Sequence, residues 1–428
     1  MRGAFGIFKS FQIERHSMRA LFLSACVLAA SSSALLADSW PTFRGGPERT
    51  DISKETGLLK QWPEGGPKKL WDFNDAGLGY SGVSVVGDTL FTMGARDEKE
   101  FLIAVNVADG KQKWSTEIGP LLKNGWGNGP RGTPTVDGDR VYAISGQGNI
   151  VCAKVADGSP VWKSSMKELG GKIPGWGYTE SPLIDGDHMV CTPGGKEGAI
   201  AALDKMTGKV AWRSKDFTEG AQYASIIAFD FGGKHQLAQL TMSKLVGLDA
   251  KTGDKLWESD WVGKTAVIPT LIYHDGHVFV TSGYGAGCKL VKIENGKATD
   301  VYANKDMSDH HGGVILVGED LYGHSNEGGW MCMEFKTGKV LWSEKKALGK
   351  GAIACADGML YLLGEKDGSV VLIDASPKGW QEHGRFKLSP LSNQRSKQGG
   401  IWMHPVIADG KLYLRDQENL MCYDIKAK

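Results

Sequence analysis

Ala202-Leu-Asp-Lys-Met-Thr-Gly-Lys-Val-Ala-Trp212 is the stretch that decides the fold, because variants of it recur along the chain. It follows a strand-like segment that ends in an Asp-Gly turn, Ser181-Pro-Leu-Ile-Asp-Gly186, and the pattern returns after about 40 to 50 residues. A repeat of this length with four short strands is typical of a propeller blade. Eight such turns occur, at Gly87-Asp88, Asp137-Gly138, Asp185-Gly186, Gly232-Gly233, Asp275-Gly276, Gly318-Glu319, Asp357-Gly358 and Asp409-Gly410. The sequence therefore predicts an all-β, eight-bladed β-propeller of four-stranded antiparallel blades.

The two ends of the chain are expected to complete one blade together. The eighth copy reaches Lys428 without a fourth strand, and the unmatched segment Lys68-Lys-Leu-Trp-Asp-Phe73 precedes the first copy. Pairing this N-terminal strand with the last blade would close the ring and remove an exposed sheet edge, which invites aggregation. Trp71 would then serve the last blade. In the two degenerate copies, Tyr302 stands nearest the aromatic position of the fifth, and Phe386 nearest that of the seventh.

The N-terminus has the features of a targeting segment. Arg19 precedes the apolar run Ala20–Ala30, and Ala34-Leu-Leu-Ala37 offers a cleavage site before Asp38. Met18 is an alternative start, because the first 17 residues are unusual for a signal peptide. We therefore predict export to the periplasm or cell envelope.

This division gives a signal peptide over residues 1–37, a leader segment over 38–66 and a single propeller over 67–428. Leu23-Ser-Ala-Cys26 has the form of a lipobox, but the apolar run continues past it, so a lipoprotein is the less favoured alternative. No apolar span long enough for a transmembrane helix follows residue 40.

Charge and cysteine usage narrow the function classes. The formal net charge is +1, from 50 basic and 49 acidic residues, which argues against a nucleic-acid partner. Cys152, Cys332 and Cys422 occupy one position of the third strand, where other copies carry Ala, Gly or Leu. We interpret this position as small, buried and apolar, although export would permit disulfides.

The element Ala-x-Asp-x-x-Thr-Gly-x-x-x-Trp, which recurs as Gly247–Trp257, resembles the repeat of the pyrroloquinoline-quinone (PQQ) repeat β-propellers. The resemblance covers residues 68–428 and implies the fold predicted above. Three kinds of protein share this fold: quinoprotein alcohol dehydrogenases that bind PQQ and calcium, a lipoprotein of the outer-membrane assembly machinery that binds protein partners, and exported PQQ-like proteins. Trp40-Pro-Thr-Phe-Arg-Gly46 is similar to the leader of the last group. The resemblance also implies that the blade tryptophans dock between neighbouring blades, at Trp71, Trp114, Trp162, Trp212, Trp257 and Trp342.

The resemblance implies three functions, and the sequence favours one. The preferred function is an exported scaffold that binds a small molecule or an envelope protein. The dehydrogenases carry a pair of adjacent cysteines, whereas no two cysteines are adjacent in this sequence. The first alternative is a quinone-dependent alcohol dehydrogenase-type oxidoreductase with PQQ and calcium. The second is a subunit of an outer-membrane assembly machine. No cofactor or metal is assigned.

A binding site is expected where the long loops meet the propeller axis. Loops after the second and fourth strands of a blade share one face, and those just before the innermost strand come closest to the axis. Their aromatic and charged side chains would line a funnel, with aromatic faces for a planar ring and Arg131 for a carboxylate. The predicted ligand-binding residues are Tyr80, Trp126, Asn128, Arg131, Trp176, Tyr178, Glu180, Tyr223, His310, His311, Trp402 and His404, with Arg44 as an addition from the leader.

Several of these residues have a second interpretation. The candidates for a catalytic base are Glu180, His310 and His404, whereas Glu180 is equally suited to pair with Arg131. Asn128 and Glu180 are the candidate calcium ligands, together with Asp309. Trp126 and Trp176 would alternatively cap the sheet ends. In an extended chain the adjacent His310 and His311 point to opposite sides, so at most one is expected to face the funnel.

Overall fold

The computed structural model of the chain describes residues 39–46 and 48–428. The predicted signal peptide, with Met18 and Cys26, lies outside these residues. Within the described part, every regular element is a β-strand. This part of the chain forms no helix with the length and apolarity needed to cross a membrane.

Each of the first seven repeats forms a four-stranded antiparallel blade, the eighth repeat supplies three strands of one, and the blades are numbered 1 to 8 in chain order. Two strands precede the repeats: β1 (Ile52–Ser53) and β2 (Lys68–Phe73). Blade 1 contains β3 (Ser84–Val86), β4 (Thr89–Arg96), β5 (Lys99–Asn106) and β6 (Gln112–Pro120), and blade 2 contains β7 (Thr135–Asp137), β8 (Arg140–Ile144), β9 (Asn149–Lys154) and β10 (Pro160–Ser165). Blade 3 contains β11 (Leu183–Asp185), β12 (His188–Cys191), β13 (Ala201–Asp204) and β14 (Val210–Arg213), and blade 4 contains β15 (Ile227–Phe231), β16 (Lys234–Leu240), β17 (Lys244–Asp249) and β18 (Lys255–Asp260). Blade 5 contains β19 (Ile272–His274), β20 (His277–Ser282), β21 (Gly287–Glu294) and β22 (Lys297–Asn304), and blade 6 contains β23 (Val314–Val317), β24 (Asp320–Ser325), β25 (Gly329–Glu334) and β26 (Val340–Glu344). Blade 7 contains β27 (Gly351–Ala356), β28 (Met359–Gly364), β29 (Ser369–Asp374) and β30 (Glu382–Lys387), and blade 8 contains β31 (Val406–Ala408), β32 (Lys411–Asp416) and β33 (Asn419–Asp424). The predicted eight-bladed propeller is thus confirmed.

The N-terminal strand completes the last blade, as the sequence predicts. β2 pairs antiparallel with β33 and forms the fourth strand of blade 8, in the order β2-β33-β32-β31. Trp71 lies opposite Cys422, and its indole N–H donates to the Val107 carbonyl of blade 1 at 2.8 Å. The ring is therefore closed by a strand from the amino end.

A bulge in the fourth strand sets the aromatic residue of a blade opposite a small residue of the third strand. Ala104 faces Trp114, and Cys152 faces Trp162. The turn glycine of the following blade packs on the same indole, since a Cβ on Gly158 would come within 2.4 Å of Trp114. All six cysteines of the described part are free and buried.

Blade 7 departs from this pattern and corrects one assignment. Its bulge leaves Gly384, not Phe386, opposite Leu372, because Val371 pairs with Arg385 and Ile373 with Glu382. Trp62 of the leader fills the vacant position: its Cβ lies 3.0 Å from where a Cβ of Gly384 would stand. Its ring meets Tyr361 edge-on at 5.6 Å, much as Trp162 packs on Tyr142 in blade 2. A distant segment thus supplies the side chain that this repeat lacks.

The leader crosses the centre of the ring before it reaches blade 8. Trp40 forms a bridge with Val85 of blade 1, and the Pro41 carbonyl accepts a hydrogen bond from Val136 of blade 2. Farther along, β1 pairs in parallel with β27 of blade 7. These contacts are made to first strands of the blades, so the first strands are the innermost ones.

Two buried arginines fix the leader to three further blades. Arg49 donates to the carbonyls of Ser181 and Pro182 in blade 3 and of Ile226 in blade 4, and Arg44 donates to Val314 of blade 6. Both residues are buried and have positive φ, 52° and 63°. Non-glycine residues hold such a backbone only where the surroundings determine it. Residues 40–46 and 48–53 of the leader therefore form an axial plug with a defined conformation.

Candidate functional site

A cavity of about 210 Å³ lies on the axis, above the plug. All eight blades contribute residues that come at or just before their innermost strand, and the plug contributes four more. Its lining includes Trp40, Phe43, Arg44, Asp51, Tyr80, Trp126, Arg131, Thr133, Trp176, Thr179, Tyr223, Ser225, Thr270, Tyr284, His310, His311, Lys350, Glu365, Lys366, Gln398, Trp402 and His404. The cavity is therefore built from the segments that the topology brings nearest the axis.

Aromatic rings form much of the wall. Tyr80 packs on Trp402 with centroids 4.5 Å apart, and its hydroxyl donates to the Trp126 carbonyl at 2.7 Å. The Arg131 guanidinium lies over the Tyr80 ring, 5.2 Å from its centroid. Trp126 keeps 43% of its surface exposed. An apolar wall of this kind suits a ligand with an aromatic or flat apolar body.

The first polar group of the cavity joins the plug to blade 8. Asp51 Oδ2 lies 2.5 Å from Arg44 Nε and 3.0 Å from His404 Nδ1. His404 Nε2 lies 3.0 Å from the His311 carbonyl oxygen and donates to it. Burial by itself would lower the pKa of His404, but the Asp51 carboxylate raises that pKa above its ordinary value. The His404 ring is thus held at both nitrogens.

The second polar group is centred on Glu365 of blade 7. Its Oε2 accepts hydrogen bonds from His311 Nε2 at 2.9 Å and from Trp402 Nε1 at 3.0 Å. Lys350 Nζ lies 3.5 Å from the other carboxylate oxygen. Burial alone would raise the pKa of Glu365, but the His311 hydrogen bond and the Lys350 charge hold it at about 2. Glu365 is therefore an ionised, internally satisfied carboxylate.

The third polar group is a chain of three side chains at the mouth. Lys350 Nζ lies 2.8 Å from His310 Nδ1, and His310 Nε2 lies 2.7 Å from the Tyr284 hydroxyl. Burial, together with the neighbouring His311 and Lys350, lowers the pKa of His310 to about 3. His310 is therefore neutral at physiological pH, and both of its nitrogens are engaged.

The charge balance of the lining is positive. Four cationic side chains and two carboxylates line the cavity, which leaves an excess of two positive charges with the histidines counted as neutral. Both carboxylates, Asp51 and Glu365, are buried and bound by internal donors. The excess of positive charge therefore makes the cavity complementary to an anion.

The structure brings most of the sequence-predicted residues together. Nine of them line the cavity: Tyr80, Trp126, Arg131, Trp176, Tyr223, His310, His311, Trp402 and His404. Three others do not line it. Asn128 accepts a hydrogen bond from the Asn124 backbone, and Tyr178 is buried in the core with its hydroxyl on the Pro193 carbonyl. Glu180 is buried and accepts from the backbone and hydroxyl of Thr192.

Glu180 does not pair with Arg131, so the second interpretation of this residue is wrong as well. Arg131 donates instead to the carbonyls of Gly127 and Gly129 and so holds its own loop. Burial raises the pKa of Glu180 to about 7. Thr179 lines the cavity, whereas its two neighbours are held elsewhere, Tyr178 by the Pro193 carbonyl and Glu180 by Thr192.

The expectation that only one of the adjacent histidines faces the funnel is wrong. His310 and His311 both line the cavity. The alternation rule applies to strands, whereas residues 307–313 adopt no strand conformation before β23 begins. The two rings lie 4.8 Å apart and tilt by 46°.

Sequence reasoning missed Asp51, Tyr284, Lys350 and Glu365. Lys350 lies directly before an innermost strand, as the predicted residues that line the cavity do, so its position in the repeat could have identified it. Tyr284 lies in the segment Gly283-Tyr-Gly-Ala-Gly287, which connects two strands of blade 5. Glu365 likewise follows a second strand, and Asp51 reaches the cavity only through the path of the plug.

The lining residues do not fit the calcium ion that accompanies PQQ in the dehydrogenases. Calcium needs six to eight oxygen ligands. The described residues contain no metal-suited cluster of three His, Cys, Asp or Glu side chains, and both cavity carboxylates are occupied by internal donors. Asp309, the remaining candidate, is buried and accepts from the Gly313 backbone. We therefore derive no redox step at this site.

Comparison with known sequences relates the chain to one family. A family model described as "Outer membrane protein assembly factor BamB" matches residues 98–344. Outer membrane protein assembly factor BamB of Shewanella oneidensis is 26% identical over 166 residues, which are 36% of this chain and 40% of that protein. The match thus spans about two fifths of the length of this curated relative.

Solved structures share the fold at low sequence identity. BamB from Moraxella catarrhalis is 15% identical, with a TM-score of 0.59 over 81% of this chain and 94% of that one. Quinohemoprotein alcohol dehydrogenase from Comamonas testosteroni is 12% identical, with a TM-score of 0.62 over 93% of this chain and 82% of that one. An assembly factor and an alcohol dehydrogenase thus share this fold to a similar degree, and the fold does not choose between them.

Proposed function

The chain belongs to the family described as outer membrane protein assembly factor BamB, and we propose that it is an exported, non-catalytic binding protein whose axial cavity holds an anionic ligand with an aromatic body. One observation carries the proposal. Every titratable side chain of the lining has an internal partner, and the one imidazole nitrogen without a partner among the described residues, His311 Nδ1, is buried, so no accessible carboxylate or histidine is left as a base, while an aromatic wall and excess positive charge remain. Such an arrangement favours binding over turnover.

The proposal is tested with 2-naphthoate and its uncharged analogue 2-methylnaphthalene, which share an aromatic body. Quenching of tryptophan fluorescence should show tighter binding of the carboxylate by about tenfold, the value of one charge-assisted contact of roughly 1.4 kcal/mol. Equal affinities, or no binding of either compound, would overturn the proposal. So would dye-linked alcohol oxidation after incubation with PQQ and calcium, because a binding protein should show none.

A second function, contact with a protein of the envelope, is favoured by the apolar rim of the mouth. Trp126, Ile173, Val262, Tyr284 and Leu391 are 38 to 76% exposed, and all five lie in loops that lead into the cavity or border it. Exposed apolar patches often mark interaction sites. Val262→Glu distinguishes the two functions: Val262 does not line the cavity, so this change should leave 2-naphthoate binding unaltered and weaken only a protein contact.

A further inference from the structure

The loop that carries Tyr284 is built in an unusual way for a short connection between two strands. Tyr284 has a φ of 59°, in the left-handed region that non-glycine residues rarely occupy, and Gly285 follows with 71°. A Cβ on Gly283 would lie 3.2 Å from the His310 Cα, so a glycine permits the close approach of the two segments. Backbone strain of this kind collects at functional sites. The loop thus places one tyrosine against His310.

The direction of the hydrogen bonds follows from the chemistry of the three side chains. A lysine ammonium group offers donors only, so His310 Nδ1 must accept from Lys350. The proton of the neutral imidazole therefore resides on Nε2, which donates to the Tyr284 oxygen. Tyr284 then accepts from His310 and does not donate to it. The hydroxyl proton of Tyr284 is left for another partner.

The surroundings leave the Tyr284 hydroxyl available to a ligand. Tyr284 lines the cavity and is 39% exposed. Its side chain forms the hydrogen bond with His310 and packs edge-on against the same ring, with centroids 4.8 Å apart. Lys350 is also within 3.5 Å of Glu365, which holds the ammonium group in place behind His310. The chain of donors ends at the mouth of the cavity.

Resting on the function proposed above, we infer that Tyr284 is the specificity-determining anchor of this site, a hydroxyl donor that binds a carboxylate oxygen of the ligand and is oriented by Lys350 through His310. Lys350 and His310 are positioning residues in this arrangement, because they act on the ligand through Tyr284. The ammonium charge polarises the chain toward the ligand, which strengthens the last hydrogen bond. Small aromatic acids and the carboxyl-terminal aromatic residue of a peptide share this chemistry.

Tyr284→Phe tests the anchor with the same probe pair. The variant should lose about tenfold in affinity for 2-naphthoate and keep its affinity for 2-methylnaphthalene, which has no oxygen. Tyr273→Phe is the matched control, since the Tyr273 hydroxyl bonds to the Asp230 carbonyl and does not line the cavity. Unchanged naphthoate binding in Tyr284→Phe would refute the anchor while leaving the binding function intact.

The two sources of the ligand are separated by comparing 2-naphthoate with N-acetyl-Ala-Ala-Trp, whose carboxyl terminus follows an aromatic side chain. Tighter binding of the tripeptide identifies a peptide end, and tighter binding of 2-naphthoate identifies a small aromatic acid. In either case Tyr284→Phe must weaken the tighter probe. If neither carboxylate depends on Tyr284, the inference is wrong.

A measurement without any ligand tests the relay itself. Nitrogen NMR of the histidine side chains should find His310 neutral with its proton on Nε2, the resonances being assigned with His310→Gln. Lys350→Met should change the tautomer equilibrium of His310, whereas Lys366→Met, which removes a neighbouring ammonium group, should not. A proton on Nδ1 in the unaltered protein would overturn the relay even if the wild-type protein bound neither probe.

Discussion

Tryptophans of this chain occupy two different environments, one buried between neighbouring blades and one exposed at the mouth of the cavity. Trp257, on an outermost strand, is 3% exposed, and its indole N–H donates to the Gln236 side chain at 2.8 Å. Trp126, in a loop before an innermost strand, is 43% exposed at the mouth of the cavity. The residue type is the same, and its position in the blade decides whether it holds sheets together or faces a ligand.

Truncation of a docking tryptophan is the strongest test of this comparison. Trp257→Ala should lower the free energy of unfolding by about 3–5 kcal/mol, because it removes a buried aromatic ring from the core between blades 4 and 5. Guanidinium denaturation, followed by circular dichroism, measures the loss. A loss below about 1 kcal/mol would mean that this tryptophan does not hold the two sheets together.

The fold could be predicted because each copy of the repeat restates the same pattern of turns and aromatic residues. Gly384 could not be recognised as the vacant aromatic position of blade 7, since the side chain that fills it comes from Trp62, far away in the sequence. Phe386, two residues on, was the nearest aromatic residue and was assigned in its place. A local pattern cannot reveal a replacement made by a distant segment.

The candidate site was predictable to the extent that it follows the repeat. Position before an innermost strand identified Trp126 and His404, whereas Asp51 lies in the axial plug, which has no counterpart in the repeats. The misplacement of Glu180 has a different cause. Its segment reaches the axis, but position in a loop does not tell which side chains face inward, and Glu180 binds Thr192 instead.

A second test compares two buried tryptophans that precede the repeats, one with a hydrogen bond and one without. Trp71 donates to the Val107 carbonyl, whereas the Trp62 indole nitrogen has no hydrogen-bond partner among the described residues. Both are buried. Trp71→Phe should therefore cost about 1 kcal/mol more than Trp62→Phe, because only the first leaves a carbonyl unpaired. Equal losses on denaturation would show that the hydrogen bond contributes nothing to closure.

The smallest effect on stability is expected for Trp126, at the mouth of the cavity. Trp126→Ala should change the free energy of unfolding by no more than about 0.5 kcal/mol, as for an ordinary surface substitution. It should nevertheless weaken 2-naphthoate binding about two- to twelvefold, since aromatic packing contributes roughly 0.5–1.5 kcal/mol. Val210→Ala is the control: Val210 is 50% exposed on an outermost strand, so both quantities should stay unchanged. If Trp126→Ala destabilised the protein as much as Trp257→Ala, position in the blade would not separate the two roles, and the loop tryptophan would be a cap on the sheet ends.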